Sequence, residues 1–208
     1  MPVSILRSIK VATSNHRKPT GAGKSSFGLI DVEALYRELD LQKGISFLDV
    51  ACGRGAYCLK ASEIIGSTGT VYAVDLWEGG IEELKARAIE ENALNIKAFV
   101  SDAGRQIPVA DQVVDACLMA TVLHDFVEDH ISEKVLQEVV RVLKTNGLLA
   151  IVEFKKMEGP PGPPLHIRLA PEEVADILVP YGFTRERVTE IGPFNYLMLF
   201  RKSGPGQS

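Results

Sequence analysis

Two hydrophobic patterns alternate along most of this chain. Short apolar runs bounded by turn residues are typical of buried strands, whereas apolar residues that recur every three or four positions are typical of helices. The first pattern predicts five strands, at Phe47 to Val50, Thr70 to Val74, Asn95 to Val100, Asp111 to Met119 and Leu148 to Phe154. The second predicts helices at Ala56 to Ile65 and Gly79 to Glu91. It also predicts a helix that is capped by Asp129 or Ser132, has its apolar face between Val135 and Leu143, and is followed by Gly147 as its C-terminal cap.

Further elements are predicted on either side of these five strands. Asp31 is expected to cap a helix before the first strand, and Pro171 is expected to begin one after the fifth. Two final strands, at Phe183 to Ile191 and Phe194 to Arg201, flank a Gly-Pro turn. The order of elements is therefore five β-α units followed by a β-hairpin.

The domain organisation follows from the same patterns. Residues 1–30 have little periodicity and are predicted to form an N-terminal extension that folds over a pocket as a lid, with Phe27 capping the pocket. Residues 31–202 are predicted to form a single domain, because no composition break or internal repeat divides them. Residues 203–208 are predicted to be a loose tail.

The junction between the first strand and its helix has the composition of a ligand-binding turn. It contains Gly53 and Gly55, and glycine lets the backbone adopt a positive φ and approach a ligand closely. The helix that follows directs its free N–H groups toward the same place. Twenty residues after Gly55, the second strand ends at Asp75, which can accept hydrogen bonds from both hydroxyls of a ribose. We therefore predict a nucleoside-containing cofactor at the carboxyl edge of a parallel sheet.

The residues around the glycines narrow the choice of cofactor. A dinucleotide fingerprint, G-x-G-x-x-G, would need glycine at Ala51 or at Cys58. Asp49, four residues before Gly53, would repel a pyrophosphate but would favour a ligand with ammonium and sulfonium charges. An NAD-linked oxidoreductase is thus a less favoured alternative.

The string from Leu48 to Gly55, Leu-Asp-Val-Ala-Cys-Gly-Arg-Gly, resembles the first motif of class I S-adenosylmethionine (SAM) methyltransferases. Ala51 stands where many members have glycine. The resemblance covers about residues 30–201 and implies an α/β, Rossmann-like fold. In that fold a seven-stranded, mostly parallel sheet carries helices on both faces and ends in an antiparallel hairpin. It also implies SAM as the cofactor and methyl transfer as the reaction.

The resemblance further implies which residues hold the cofactor. Asp102 matches the acidic residue that receives the adenine amino group at the end of the third strand, with a helix or turn cap as the alternative role. Together with the lid residue, the expected cofactor-binding residues are Asp49, Ala51, Cys52, Gly53, Gly55, Asp75, Leu76, Ser101, Asp102, Ala103, Met119, Ala120 and Phe27.

Three short segments resemble the small-molecule branch of the family, which includes the ubiquinone/menaquinone-biosynthesis methyltransferases. These segments are Val122 to His124, Asn146-Gly147 and Ile151 to Lys155. Many methyltransferases that act on amino groups of nucleic acid bases have an Asn/Asp-Pro-Pro-aromatic motif at the end of the fourth strand. This chain has Met-Ala-Thr-Val there, which argues against a nucleobase amine as the acceptor. A small-molecule acceptor is therefore expected.

Each candidate residue for contact with the acceptor allows two interpretations. His124 could act as a general base near neutral pH, or could simply pack within its turn. His166 and Arg168, in a proline-rich loop, could contact the substrate, or the loop could be a purely structural lid. Glu153 could face the pocket or pair with Lys155. Because the sequence has no obvious catalytic base, a non-catalytic SAM-binding module acting through a partner is the second alternative.

Composition and charge exclude several other classes. With 208 residues, 46% apolar residues and a formal net charge of −4, the chain is typical of a globular protein without a nucleic-acid partner. No apolar run reaches membrane-spanning length, so no integral membrane association is expected. Cys52, Cys58 and Cys117 lack metal-ligand spacing, so no metal is expected, and free thiols suit a cytoplasmic location. A monomer or a homodimer is expected.

Overall fold

The computed structural model describes residues 23–204. Helix α1 (Val32–Leu39) precedes strand β1 (Ser46–Val50), and then come α2 (Ala56–Ile65), β2 (Thr70–Asp75), α3 (Glu78–Glu90) and β3 (Ile96–Val100). The second half contains β4 (Val114–Ala120), α4 (Leu123–Glu128), α5 (Ser132–Val142), β5 (Leu143–Phe154), α6 (Pro171–Leu178), a 3₁₀ turn (Val179–Tyr181), β6 (Phe183–Glu190) and β7 (Asn195–Lys202).

All seven strands join one sheet in the order β3-β2-β1-β4-β5-β7-β6. The first five are parallel, whereas β7 runs antiparallel to both β5 and β6. The predicted fold class is therefore confirmed. From β1 the chain winds outward to β2 and β3, and then returns to place β4 on the other side of β1. This reversal creates a crevice at the carboxyl ends of β1 and β4, where open α/β sheets bind ligands.

Helices cover both faces of the sheet because both faces of its central strands are apolar. Phe47 of β1 packs in a core with Leu35 of α1 and Leu84 of α3, and all three are fully buried. Leu48, the next residue, points to the opposite face and packs in a second core with Leu136 of α5. A two-sided core of this kind fixes the register of β1 and so the position of the turn that follows it.

The structure differs from the sequence predictions at one additional helix and at one boundary. The structure has an additional short helix, α4, where the sequence was interpreted as a turn around His124. Helix α5 ends at Val142, and β5 begins immediately at Leu143 rather than at Leu148. Its pairing with β4 shifts between Val114 and Ala116, so the intervening residues of β5 bulge out of register. Gly147 is not a helix cap: a Cβ on it would lie 2.6 Å from the Leu143 side chain, so close packing requires the glycine.

Candidate active site

A cavity of about 540 Å³ occupies the crevice at the carboxyl ends of the parallel strands. Ten of the thirteen expected cofactor residues line it: Asp49, Ala51, Cys52, Gly53, Asp75, Leu76, Ser101, Asp102, Ala103 and Ala120. They come from the ends of β1, β2, β3 and β4, which parallel pairing brings to one edge. The volume lies within the range of about 300–1,000 Å³ typical of small-molecule sites.

The two glycines of the turn have different reasons to be glycine. Gly53 has φ +56°, and a Cβ there would meet no atom within 4 Å, so the space beside it is open to a ligand. Gly55, at φ +72°, does not line the cavity; a Cβ there would collide with the Leu84 side chain of α3. Gly53 therefore gives a ligand close access to the backbone, whereas Gly55 lets helices α2 and α3 pack.

Asp75 is held rigidly at the edge of the cavity. Its Oδ2 accepts a hydrogen bond from the Gly53 backbone N–H at 2.7 Å, and its Oδ1 accepts one from the Trp77 N–H at 2.7 Å. Burial raises the pKa of this carboxyl, while the backbone N–H groups oppose the rise. Each carboxylate oxygen has a second lone pair. The side chain can thus brace the turn and still accept hydrogen bonds from a diol.

Asp49 is the most deeply buried acid in the cavity wall, with 1% of its surface exposed. The Cys58 thiol of α2 donates a hydrogen bond to its Oδ2 at 3.1 Å. Burial raises the pKa of Asp49 to about 7; the thiol opposes this rise and the nearby Asp75 adds to it. The protein alone therefore stabilises the ionised form poorly, and a cationic group on a ligand would stabilise it.

Asp102 caps a turn and lines the cavity at once. Its Oδ1 accepts a hydrogen bond from the Gly104 N–H at 2.9 Å, and its backbone oxygen accepts from Arg105 and Gln106. Both interpretations of this residue are therefore compatible with the structure. Its neighbours Ser101 and Ala103 lie on the same wall.

The segment just before α1 forms another wall of the cavity. Gly23 to Ser26 line it, and Ser26 is anchored by a 2.8 Å hydrogen bond between its hydroxyl and that of Tyr57. Thr121, which follows β4, donates to the Ser26 hydroxyl at 3.1 Å. No pattern in the sequence indicates this role of Ser26, because the contact depends on residues distant in the chain.

The expected position of Phe27 is wrong. Its ring packs edge-on against Tyr57, with centroids 5.0 Å apart, and it borders a separate surface groove along the outer side of α2. Among the described residues of the predicted lid, Gly23 to Ser26 line the cavity and Phe27 does not. Residues 1–22 of the predicted lid lie outside the described part of the chain. Met119 is also displaced: strand alternation turns its side chain into the core opposite the cavity face, where it is fully buried.

His124 does not face the cavity. Its side chain is 5% exposed, its Nδ1 lies 2.7 Å from Glu153 Oε2, and its backbone N–H donates to Glu153 Oε1 at 3.1 Å. Glu153 is fully buried and does not pair with Lys155, which instead contacts Glu190 at 3.0 Å. The neighbour of His124, Asp125, is the residue that lines the cavity, and no pattern in the sequence distinguishes the two orientations.

The two residues expected in the proline-rich loop also lie outside the cavity wall. Arg168 is 2% exposed, and its guanidinium donates to four backbone carbonyls of its own loop, those of Lys155, Gly159, Pro161 and Pro163. The expectation that Arg168 contacts the substrate is therefore wrong: it organises the loop from inside. His166 is exposed, whereas Ile167 points into the cavity.

Comparison with known proteins agrees with this geometry. A family described as a methyltransferase domain matches residues 47–147. A SAM-dependent methyltransferase of known structure from Aquifex aeolicus is 31% identical, with a TM-score of 0.78 over 85% of this chain and 92% of that one. The chain belongs to the class I SAM-dependent methyltransferase family. For this methyltransferase, family membership favours SAM over NAD as the cofactor.

Curated relatives of this methyltransferase act on quinones, according to their names. The 2-phytyl-1,4-naphtoquinone methyltransferase of Trichormus variabilis is 33% identical over 113 residues, which is 54% of this chain and 48% of that protein. The ubiquinone/menaquinone biosynthesis C-methyltransferase of Haemophilus ducreyi is 28% identical over 116 residues, covering 56% of this chain and 44% of that protein. The chain thus spans less than half the length of these two relatives.

The described residues of the methyltransferase fit SAM. Gly53 leaves open space where a Cβ would stand, Asp75 offers a fixed carboxylate for a ribose, and Asp49 offers a buried carboxylate for an ammonium group. Within residues 23–204, no three His, Cys, Asp or Glu side chains are grouped so as to hold a metal ion. None of the helices in that range is long and apolar enough to cross a membrane.

Proposed function

We propose that this methyltransferase transfers the methyl group of SAM to a small aromatic acceptor of the hydroquinone class. The observation that carries the proposal is that one cavity extends from the glycine turn to Ile167 of the loop after β5. Cofactor and acceptor would therefore share a single chamber. The names of the two curated relatives support the acceptor class.

The cavity wall has two ends of different composition. Asp49, Asp75 and Asp102 gather at the ends of β1 to β3, whereas the wall beyond β4 and β5 combines the apolar side chains of Val122, Phe126 and Ile167 with the acids Asp125, Glu128 and Asp129. Asp49, Asp75 and Asp102 would bind the ammonium, the ribose and the adenine amino group of the cofactor, respectively. The apolar residues would contact an aromatic ring.

The bound cofactor supplies an activated methyl group, so the protein acts chiefly by alignment and by excluding water. Asp75 braces the turn that carries Gly53, and a fixed turn defines where the ligand lies. Ser26 and Thr121 hold the segment at Gly23 to Ser26 against the rim. These contacts would limit solvent at the point where cofactor and acceptor meet.

The test combines binding and turnover in the full chain. Calorimetry should detect S-adenosylhomocysteine, and incubation with SAM and a panel of 1,4-naphthohydroquinones, with and without prenyl chains, should give a methylated product. A panel of catechols and amines serves as the comparison. Binding of S-adenosylhomocysteine without turnover of any acceptor would support the non-catalytic binding module instead, and turnover of amines alone would exclude the hydroquinone class.

Several expectations about the wider context stay predictions from the sequence. They are a cytoplasmic location, a monomer or homodimer, and the lack of a nucleic-acid partner. Size-exclusion chromatography with light scattering addresses the second of these directly.

A further inference from the structure

Three ionisable side chains form a row that leads from the buried core to the cavity. Glu153 of β5 is fully buried and lies 2.7 Å from His124 Nδ1. On the other side of the ring, His124 Nε2 lies 3.6 Å from Asp125 Oδ1, a distance for an ion pair rather than a hydrogen bond. Asp125 is half-exposed and lines the cavity, so it is the only member of the row that a ligand in the cavity would meet.

The inner end of this row is tightly fixed. Glu153 accepts from the His124 backbone N–H at 3.1 Å and from the Phe154 N–H at 3.3 Å, in addition to its contact with the imidazole. The imidazole also packs edge-on against the Phe154 ring, with centroids 6.2 Å apart. A buried carboxylate is unfavourable unless it is paired, and here the imidazole is the ionisable partner.

Electrostatics couple the three groups. Burial alone would lower the pKa of His124, but its hydrogen bond to Glu153 and the charges of Glu153 and Asp125 outweigh this, and the net change is upward. Burial raises the pKa of Asp125, against the lowering effect of His124. The charge of Arg168 lowers the pKa of His124. Across the cavity rim, Asp129 raises the pKa of Asp125 and Lys24 lowers it.

We infer that Asp125 is the group that takes the proton from the acceptor during methyl transfer, and that His124 and Glu153 are positioning residues behind it. This inference rests on the proposed function. It also reassigns the base, since the histidine that the sequence suggested is sealed from the cavity and the adjacent carboxylate is not.

The step balances with the reactants already named. The O–H bond of the acceptor breaks and its proton moves to a carboxylate oxygen of Asp125. The electron pair left on the acceptor forms the new bond to the methyl carbon, and the electrons of the broken carbon–sulfur bond stay on sulfur. When His124 is protonated, its charge, 3.6 Å from Asp125 and stabilised by Glu153, lowers the pKa of Asp125 and so favours the carboxylate that accepts the proton.

The experiment compares an acid on the cavity wall with an exposed acid outside it. Asp125→Asn should lower kcat for a 1,4-naphthohydroquinone by about 100-fold or more, the usual contribution of a general base. Affinity for S-adenosylhomocysteine should change less than about threefold, since the lost charge lies outside the cofactor contacts. Asp111→Asn, which removes an exposed acid outside the cavity lining, should leave kcat within about threefold of the wild type.

A pH profile distinguishes a positioning role of His124 and Glu153 from a purely structural role. His124→Asn removes the imidazolium that lowers the pKa of Asp125, so the acid limb of the kcat profile should move to higher pH. Glu153→Gln should lower the pKa of His124, which NMR of the imidazole measures without any acceptor. An unmoved acid limb, or an unchanged His124 titration in Glu153→Gln, overturns the positioning roles.

The outcomes separate this inference from the proposed function. If the wild type methylates no hydroquinone, the proposed function fails and the inference falls with it. If the wild type is active and Asp125→Asn retains its kcat within about threefold, only the inference is overturned.

Discussion

The thiol of Cys58 donates a hydrogen bond to Oδ2 of Asp49 at 3.1 Å, and both side chains lie beneath the first turn of α2, away from solvent. Among residues 23–204, a neutral thiol is the side-chain hydrogen-bond donor to this carboxylate, and no positive charge in that range lowers its pKa. This relationship makes Asp49 sensitive to both pH and ligand charge.

The stability of the cofactor-free protein should depend on Asp49. Burial raises the pKa of Asp49 from its ordinary 3.8 to about 7 in the fold, so the folded state binds a proton that the unfolded state releases between these pH values. The free energy of unfolding therefore falls as pH rises through this window, by up to about 4 kcal/mol from this group alone. Asp49→Asn, which cannot ionise, should be more stable than the wild type at pH 8 and gain little at pH 4.

Urea unfolding of both proteins at the two pH values measures this difference. Comparing the variant with the wild type at each pH cancels the contribution of the other titrating groups. An equal difference at pH 4 and pH 8 would show that Asp49 does not titrate in this window.

Cofactor binding should have the opposite dependence on Asp49. If its carboxylate receives the ammonium of the cofactor, affinity for S-adenosylhomocysteine is highest above pH 7 and falls as Asp49 is protonated below that pH. In Asp49→Asn the affinity should be weaker and nearly independent of pH between 6 and 8. Calorimetry over that range tests the assignment, and a wild-type affinity that is flat with pH contradicts it.

Asp75 should contribute through the ribose. Asp75→Ala should weaken binding of S-adenosylhomocysteine by roughly 1.5–3 kcal/mol, the range for charge-assisted hydrogen bonds. Asp111→Ala removes an exposed acid outside the cavity lining and should leave binding unchanged. Since Asp75 also accepts from the Gly53 N–H, the thermal midpoint of each variant must be recorded beside its affinity. Unaltered affinity in Asp75→Ala would remove this residue from the site.

The two glycines of the turn should respond differently to the same substitution. Gly53→Ala adds a Cβ into open space, so it should chiefly weaken cofactor binding, with about 1 kcal/mol of strain from the positive φ. Gly55→Ala forces a Cβ against Leu84 and should destabilise the protein further, by about 1–3 kcal/mol beyond that strain. Paired calorimetry and denaturant unfolding separate the effects. Equal stability losses in the two variants would contradict the packing role of Gly55.

Arg168 should matter for the loop and not for the ligands. Arg168→Ala leaves four backbone carbonyls without their charged donor, and we expect faster proteolysis within residues 155–168. Affinity for S-adenosylhomocysteine should stay within about threefold of the wild type. Arg168→Lys should not restore the loop, because an ammonium cannot reproduce the planar set of donors. Limited proteolysis with mass spectrometry checks this, and full protection in Arg168→Lys would contradict it.

The sequence determined the order of the strands along the chain and the residues at the cofactor end of the cavity. Each of these features lies within one contiguous segment: the turn at Asp49 to Gly55 follows β1, Asp75 ends β2 and Asp102 follows β3. Parallel strands bring their carboxyl ends to one edge, so a residue's place after its strand already predicts its place in the cavity. The structure places these segments along one cavity wall, as their positions in the sequence indicate.

The acceptor end was decided only by the tertiary structure. Whether His124 or Asp125 faces the cavity depends on the rotation of α4, which Glu153, distant in the chain, fixes by two hydrogen bonds. The Arg168 guanidinium points inward, where it donates hydrogen bonds to backbone carbonyls of its own loop. Periodicity describes an element along its own axis, whereas the direction of a side chain in a short helix or loop is set by its partners, which one-dimensional patterns do not contain.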